Sequence, residues 1–236
     1  MAFAVDRVLA SPRPWQAFAI TLLVYLATAR LSLLLTIPPG IASPLFPAAG
    51  IGLVAALVWG RAALPAVLLG SALANFWLSA SLGSVGMTSA LVALGIGLGA
   101  TLQAGVGALL IKRYVGQPLL LAEPWQLWRF FAIGGVLACC ISASVGLAVL
   151  WGAGLVNNAQ ALPHWAAWWI GDTLGVLIFA PVSLTLIGHP RDEWAPRRWP
   201  VALPLLGVTL LMGVGIRLVT QLDAMQQRQA FEREAC

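Results

Sequence analysis

Two ionisable residues lie inside otherwise apolar segments, and they are the first candidates for function in this sequence. Arg30 interrupts the apolar run 17–37, and Asp172 interrupts the run 165–187. A charge within such a segment is costly and marks either a functional site or a structural ion pair. Each lies roughly 10 Å from one end of its segment, at 1.5 Å per residue. Opposite charges at equal depth predict an ion pair.

Two interpretations of this pair remain open. In the first, the ion pair only specifies the fold, as buried pairs often do. In the second, the pair lines an outward-facing pocket for a ligand or signal. The other candidate residues of that pocket are Asn75, Trp168, Pro44 and Pro47.

Other chemistry is sparse in this sequence. His164 and His189 fall near opposite ends of the apolar segments, so they cannot share a ligand. Cys139 and Cys140 are adjacent within an apolar run, and no Cys-x-x-Cys or His/Cys pair has metal-binding spacing. No nucleophile–base or paired-carboxylate set can be assembled. We therefore expect no catalysis, no metal and no cofactor.

The composition is that of a membrane protein. Apolar residues make up 60% of the 236 residues, charged residues only 9%, and the mean hydropathy is +0.91. A soluble domain carries about 25% charged residues. The net charge of +5 is spread between the apolar blocks instead of forming one basic face. This pattern favours the lipid bilayer as a partner and excludes nucleic acid.

Seven apolar segments predict an all-α, polytopic transmembrane bundle of seven to eight spans. They are residues 17–37, 47–59, 62–80, 85–111, 130–150, 165–187 and 200–219. Two small-x-x-x-small pairs, Gly95/Gly99 and Gly171/Gly175, predict close helix packing. The polar residues within these segments are assigned to packing; they are Gln103, Ser142, Ser144 and Thr173.

The second segment is unusually short. Thirteen helical residues rise only about 20 Å, whereas the hydrocarbon core is about 30 Å thick. Prolines precede it, and Pro47 suits a first helical turn. Either residues 38–46 enter the membrane in a non-helical conformation, or they form a surface loop before a short helix.

The distribution of basic residues predicts the orientation. Connections with Lys or Arg, such as those around Arg61 and Lys112, alternate with the uncharged connections 38–46, 81–84 and 151–164. The positive-inside rule then places residues 1–16 in the cytoplasm as an N-terminal arm. An odd number of spans places the C-terminus in the periplasm, with residues 17–219 in the bacterial inner membrane.

The chain changes character after Arg217. Residues 217–235 contain no Gly or Pro and are strong helix formers. The seventh segment is therefore expected to continue as a helix that leaves the membrane. We interpret residues 220–236 as a connector toward a further domain; a simple terminal helix is the alternative.

Three motifs resemble those of the MASE-type membrane-associated sensor domains. They are Ser43-Pro-Leu-Phe-Pro-Ala-Ala-Gly-Ile-Gly52, Leu69-Gly-Ser-Ala-Leu-Ala-Asn75 and Trp168-Trp-Ile-Gly-Asp-Thr-Leu-Gly175, the last followed by Pro181. The segment Gln229-Ala-Phe-Glu-Arg-Glu-Ala235 is similar to the start of an extracytoplasmic CHASE-type sensory domain.

The resemblance implies a bacterial sensory input module. Such modules usually precede a cyclic-di-GMP cyclase, a cyclic-di-GMP phosphodiesterase or a histidine kinase, and this chain contains no segment similar to any of them. The implied partners are a membrane-borne or small-molecule signal, an output domain in cis or in trans, and a second copy in a homodimer. The alternatives left open are a small-solute transporter or substrate-binding membrane subunit, and a scaffold.

Overall fold

The computed structural model describes residues 13–33 and 44–234, and these form helices without any strand. The helices are α1 Pro14–Leu33, α2 Pro47–Trp59, α3 Leu64–Ser81, α4 Met87–Tyr114, α5 Pro124–Phe130, α6 Ala138–Gly152, α7 Asn158–Ile187, α8 Arg191–Trp194 and α9 Arg198–Glu234. A π-helical segment, Phe131–Leu137, joins α5 to α6.

Five stretches are long and apolar enough to cross a membrane within the described part of the chain. They are Leu64–Ser81, Met87–Tyr114, Pro124–Gly152, Asn158–Ile187 and Arg198–Gly215. Pro47–Ala62 is a shorter apolar helix, and α1 borders residues 34–43, which are not described. Each apolar segment is thus mainly helical where the structure describes it, and the prediction of an all-α membrane bundle is confirmed.

Helix α2 begins deep within the bundle. The Phe46 amide donates to the Gly171 carbonyl at 3.0 Å, and Gly171 lies near the middle of α7. Pro47 is buried in the first turn of α2. Residues 44–46 are therefore a non-helical segment near the middle of the bundle, where protein groups bond the backbone N–H and carbonyl of Phe46. This supports the membrane-entering interpretation for residues 44–46; the rest of the predicted segment, 38–43, lies outside the described residues.

Glycines allow α2 to approach α7 closely. A Cβ atom on Gly175 would overlap the Phe46 carbonyl oxygen, and one on Gly50 would overlap the Gly175 carbonyl oxygen. The glycine pair Gly95/Gly99 allows α4 to pack closely on α6, because both glycines face valines of α6. Both small-x-x-x-small pairs therefore mark close helix packing, as predicted.

The π-helical segment is held by side chains of α7. A π-turn shifts the backbone bonding from i→i+4 to i→i+5 and leaves carbonyl groups available to other donors. Thr173 Oγ1 donates to the Gly135 carbonyl at 2.9 Å, and Trp169 Nε1 donates to the Val136 carbonyl at 3.0 Å. These two bonds fasten α7 to the irregular part of the α5–α6 span.

The two ends of the bundle differ in charge. We call the end with Arg61, Lys112, Arg129 and Arg191 the basic end. There Arg129 Nη1 donates to the Tyr114 carbonyl at 3.3 Å, and Arg197 bonds both the Leu120 carbonyl and Glu193. The opposite end, which we call the uncharged end, contains the connections 82–86 and 153–157, without a charged residue.

Helix α9 continues well beyond a membrane-length span. Its 37 residues form one uninterrupted helix, roughly 55 Å long at 1.5 Å per residue. The predicted continuation of the seventh segment as a helix is confirmed as far as Glu234. Within the bundle α9 packs mainly on α7, which leaves most of its apolar surface to lipid.

Candidate functional site

A cavity of about 80 Å³ lies between α1, α2, α3, α4, α6 and α7. It extends from the level of Ser32, Asn75 and Leu78, toward the uncharged end, to the middle of the bundle at Gln103 and Asp172. Small residues of α2, among them Ala48, Ala49 and Gly52, form part of its wall. The shortness of these side chains is what leaves the space open.

Asp172 is the acidic group of this cavity. Its side chain is 2% exposed, and it lies about halfway along the 30-residue helix α7. The Ser142 hydroxyl of α6 lies next to the carboxyl group, and the side chains of Tyr25 and Cys139 lie near it. No Lys, Arg or His belongs to the cavity wall within the described residues. The carboxyl group is therefore buried without a basic partner there.

Two amide side chains line the cavity. Asn75 Nδ2 donates to the Ser71 carbonyl at 2.9 Å, and Gln103 Nε2 donates to Cys139 Sγ at 3.2 Å. Each amide therefore retains its carbonyl oxygen as an acceptor and one N–H group as a donor.

Three aromatic rings complete the wall. Tyr25 is 1% exposed and meets Phe46 edge-to-face, with ring centroids 6.2 Å apart. Trp168 lies one helical turn before Asp172 on α7 and also borders the cavity. Its ring packs on Gly146 of α6, where an added Cβ would lie 2.8 Å from the ring edge. The wall thus combines one acid, several oxygen acceptors and aromatic faces.

The structure brings together only part of the pocket proposed from the sequence. Asn75, Trp168 and Asp172 line the cavity. Pro47 is buried at the start of α2, and Pro44 is half-buried before it, but neither belongs to the lining. Instead, the segment between them contributes Phe46.

The predicted Arg30–Asp172 ion pair is wrong. Arg30 is exposed on α1, and its guanidinium lies over the Trp77 ring at 3.8 Å from the centroid. The only ion pair among residues 13–33 and 44–234 joins Arg197 and Glu193. The assumption of equal depth failed because α7 begins at Asn158. Asp172 is therefore roughly 21 Å along the helix from its first residue, not 10 Å.

Sequence reasoning missed several residues of the cavity. Gln103 and Ser142 were assigned to packing, yet both line it, 3% exposed each. Tyr25 and Ser71 were not singled out at all. The available signal was weak but present, because each is an isolated polar group within an apolar helix.

The arrangement suits reversible binding more than catalysis. The cavity offers one carboxyl group, hydroxyls and amides, and no group of three or more His, Cys, Asp or Glu able to hold a metal exists in the described ranges. Such a site fits a small polar ligand in an otherwise apolar bundle.

A bundle of membrane-length helices around a small buried cavity, which is lined by a few polar groups, defines a polytopic membrane protein. Residues 15–231 match the family model MASE1. The chain therefore belongs to the MASE1 family of membrane-associated sensor domains, and the resemblance drawn from the three sequence motifs is confirmed. The family is sensory and not catalytic. No curated protein and no solved structure matches the chain.

Proposed function

We propose that this chain is the input module of a bacterial signal-transduction protein in the inner membrane, and that the Asp172 cavity is its signal-binding site. The signal is a small extracytoplasmic or membrane-borne molecule. The response passes along α9 to the periplasmic side and from there, through a further membrane span in cis or a partner in trans, to an output domain of the cyclic-di-GMP cyclase, phosphodiesterase or histidine kinase type. The chain itself performs no catalysis.

One observation carries this proposal: the three motifs that resemble the sensor family meet at one cavity. The first contributes Phe46 and the first turns of α2, the second contributes Ser71 and Asn75, and the third contributes Trp168 and Asp172. Motifs this far apart in the chain are not brought together by local secondary structure. A shared binding site would explain why they meet at one cavity.

A route from the cavity to the C-terminal helix supports the sensory role. Helix α7 holds Asp172 at its middle, and it is also the main packing partner of α9. A signal can shift the bundle only if it binds two arrangements with different affinity. A ligand that contacts Asp172 and the start of α2 at once would favour one arrangement of α2 against α7, and hence one position of α9.

The charge asymmetry supports an orientation for this module. The basic end is expected in the cytoplasm by the positive-inside rule, so the cavity is reached from the periplasmic side. Seven spans then put the connector, residues 220–236, in the periplasm, where its similarity to the start of a CHASE-type domain fits. A homodimer through this helix stays a prediction.

The proposal is tested by exchanging input domains. In a diguanylate cyclase whose MASE1 domain is followed by a periplasmic segment and a span that returns to the cytoplasm, this chain replaces the MASE1 domain alone. Cellular cyclic-di-GMP is then measured in matched cultures. We expect Asp172→Asn to change the output at least several-fold or to make it insensitive to growth conditions. Asp192→Asn, an exposed acid at the basic end, is the control. Equal output from wild type and Asp172→Asn, at equal membrane levels, would contradict the proposal.

A small-solute transporter is the second candidate. The observation in its favour is the start of α2 at membrane depth, because transporters often bind substrate at interrupted helices near the midplane. Uptake of a labelled solute into proteoliposomes that contain only this chain, abolished by Asp172→Asn, would favour transport over sensing.

A further inference from the structure

We propose that the Asp172 cavity binds a small organic ammonium ion, with the cationic nitrogen against the Asp172 carboxyl group. This proposal names the chemical class of the signal in the proposed function. It rests on the proposed function only for the claim that binding changes the signalling output.

Charge is the first argument. Asp172 is the only acidic or basic residue on the cavity wall in the described part of the chain. An ionised carboxylate in the middle of a membrane bundle needs a counter-charge. Arg30, the cation expected to supply it, lies over Trp77 instead. A cationic ligand would complete the site.

The start of α2 does not remove this need. Ala48 and Ala49, in the first turn of α2, also line the cavity. The helix dipole is equivalent to about half a positive charge at this end. This partial charge is smaller than the full charge of an ionised Asp172, so it cannot balance that charge alone.

The hydrogen-bonding groups are the second argument. Asn75 and Gln103 use amide N–H groups on protein acceptors, which leaves their carbonyl oxygens for a donor. The hydroxyls of Ser71 and Ser142 can accept as well. A primary ammonium carries three N–H donors and no acceptor, so the Asp172 carboxyl group and these acceptor oxygens match it better than they match a carboxylate or a phosphate.

Size and the aromatic rings distinguish an organic ammonium from a bare metal ion. A cavity of about 80 Å³ holds several water-sized groups, far more than one alkali ion fills. Tyr25, Phe46 and Trp168 belong to the wall, and aromatic rings attract organic cations. The apolar remainder of the wall suits a short alkyl chain.

The test is a calorimetric titration of the purified full chain in lipid nanodiscs with ethylammonium chloride. Ethanol serves as a neutral probe of similar size, and sodium chloride as an inorganic cation. We expect saturable binding of ethylammonium alone. Asp172→Asn should weaken it at least tenfold, whereas the exposed control Asp192→Asn should match wild type.

A second variant guards against loss of folding in Asp172→Asn. Asn75→Leu removes one acceptor but keeps the carboxyl group, and we expect about tenfold weaker binding, since one hydrogen bond to the charged ligand is lost. Thermal melting of each variant confirms that it is folded. Absence of ethylammonium binding to wild type, equal binding of ethanol, binding of sodium alone, or unchanged affinity in a folded Asp172→Asn would overturn the proposal.

The same ligand separates this inference from the proposed function. Ethylammonium is added to cells that express the cyclase chimera, and cyclic-di-GMP is measured. Binding without any change in output would leave the ammonium site intact and contradict the sensory role of the cavity. A change in output that Asp172→Asn abolishes supports both.

Discussion

Asp172 is the one charged residue that is buried within the described part of the chain. Its surroundings are built from small or polar side chains of several helices, and Arg30 is not among them. The arginine instead stays at the bundle surface, where a neighbouring aromatic face partly replaces its hydration. At the scale of single residues, the acid belongs to the cavity and the arginine to the membrane-facing surface.

Replacing Arg30 tests this separation. We expect Arg30→Gln to leave ethylammonium affinity within about twofold of wild type, because its side chain does not line the cavity. The loss of the contact with Trp77 should cost no more than about 0.5–1 kcal/mol of stability, the range for exposed cation–π contacts. Calorimetric titration measures the first quantity. An affinity loss as large as that of Asp172→Asn would show that Arg30 takes part in binding and would contradict its separation from the cavity.

Gly175 provides a second test at the residue scale. Gly175→Ala places a Cβ atom against the Phe46 carbonyl oxygen, which must move α2 away from α7. We expect a loss of about 1–3 kcal/mol, typical of overpacking, in detergent unfolding experiments. Gly207→Ala is the matched control, since an added Cβ there meets nothing within 4 Å. Equal stability of the two variants would argue against the close approach.

The sequence predicted some of these residues and not others, for a physical reason. Isolated charges and amides such as Asp172 and Asn75 stand out in an apolar segment because of their desolvation cost. Their partners do not stand out, because helices that are apolar on all sides carry no periodic signal of which face points inward. Tyr25, Ser71 and Gln103 could therefore be assigned to the cavity only from the packed bundle.

At the scale of elements, two irregular segments shape the site. The non-helical residues 44–46 bring the start of α2 to mid-bundle, and the π-helical segment offers its carbonyls to α7. The first was foreseeable from the prolines and the short apolar run. The second was not, because nothing in the composition of Phe131–Leu137 distinguishes a π-turn from an α-turn.

The bond from Thr173 to the π-helical segment can be tested by removing its hydroxyl. We expect Thr173→Val to destabilise the protein by about 0.5–1.5 kcal/mol, the usual contribution of one hydrogen bond. Thr209→Val makes the same change where the hydroxyl bonds only its own helix, at the Leu205 carbonyl, and should have little effect. Unfolding in detergent compares the two. A larger loss in Thr209→Val would contradict an interhelical role for Thr173.

At the scale of the whole molecule, the bundle is polarised along its axis. Its basic end ties the α4–α5 connection to residues near Trp194 through Trp194 Nε1, which donates to the Leu119 carbonyl at 3.0 Å. Toward its uncharged end the bundle contains the part of the cavity lined by Ser32, Asn75 and Leu78. The central claim is therefore that the uncharged end faces the outside and admits the signal.

Cysteine labelling in intact spheroplasts tests this claim most directly. In a background without Cys139, Cys140 and Cys236, a membrane-impermeant thiol reagent is applied to Ser84→Cys at the uncharged end and to Asp192→Cys at the basic end. We expect Ser84→Cys to be labelled in intact cells and Asp192→Cys to be labelled only after lysis. A separate protein with Cys236 alone should be labelled in intact cells if seven spans are present. The reverse pattern at residues 84 and 192 would contradict the proposed orientation, because the uncharged end, toward which the cavity extends, would then face the cytoplasm.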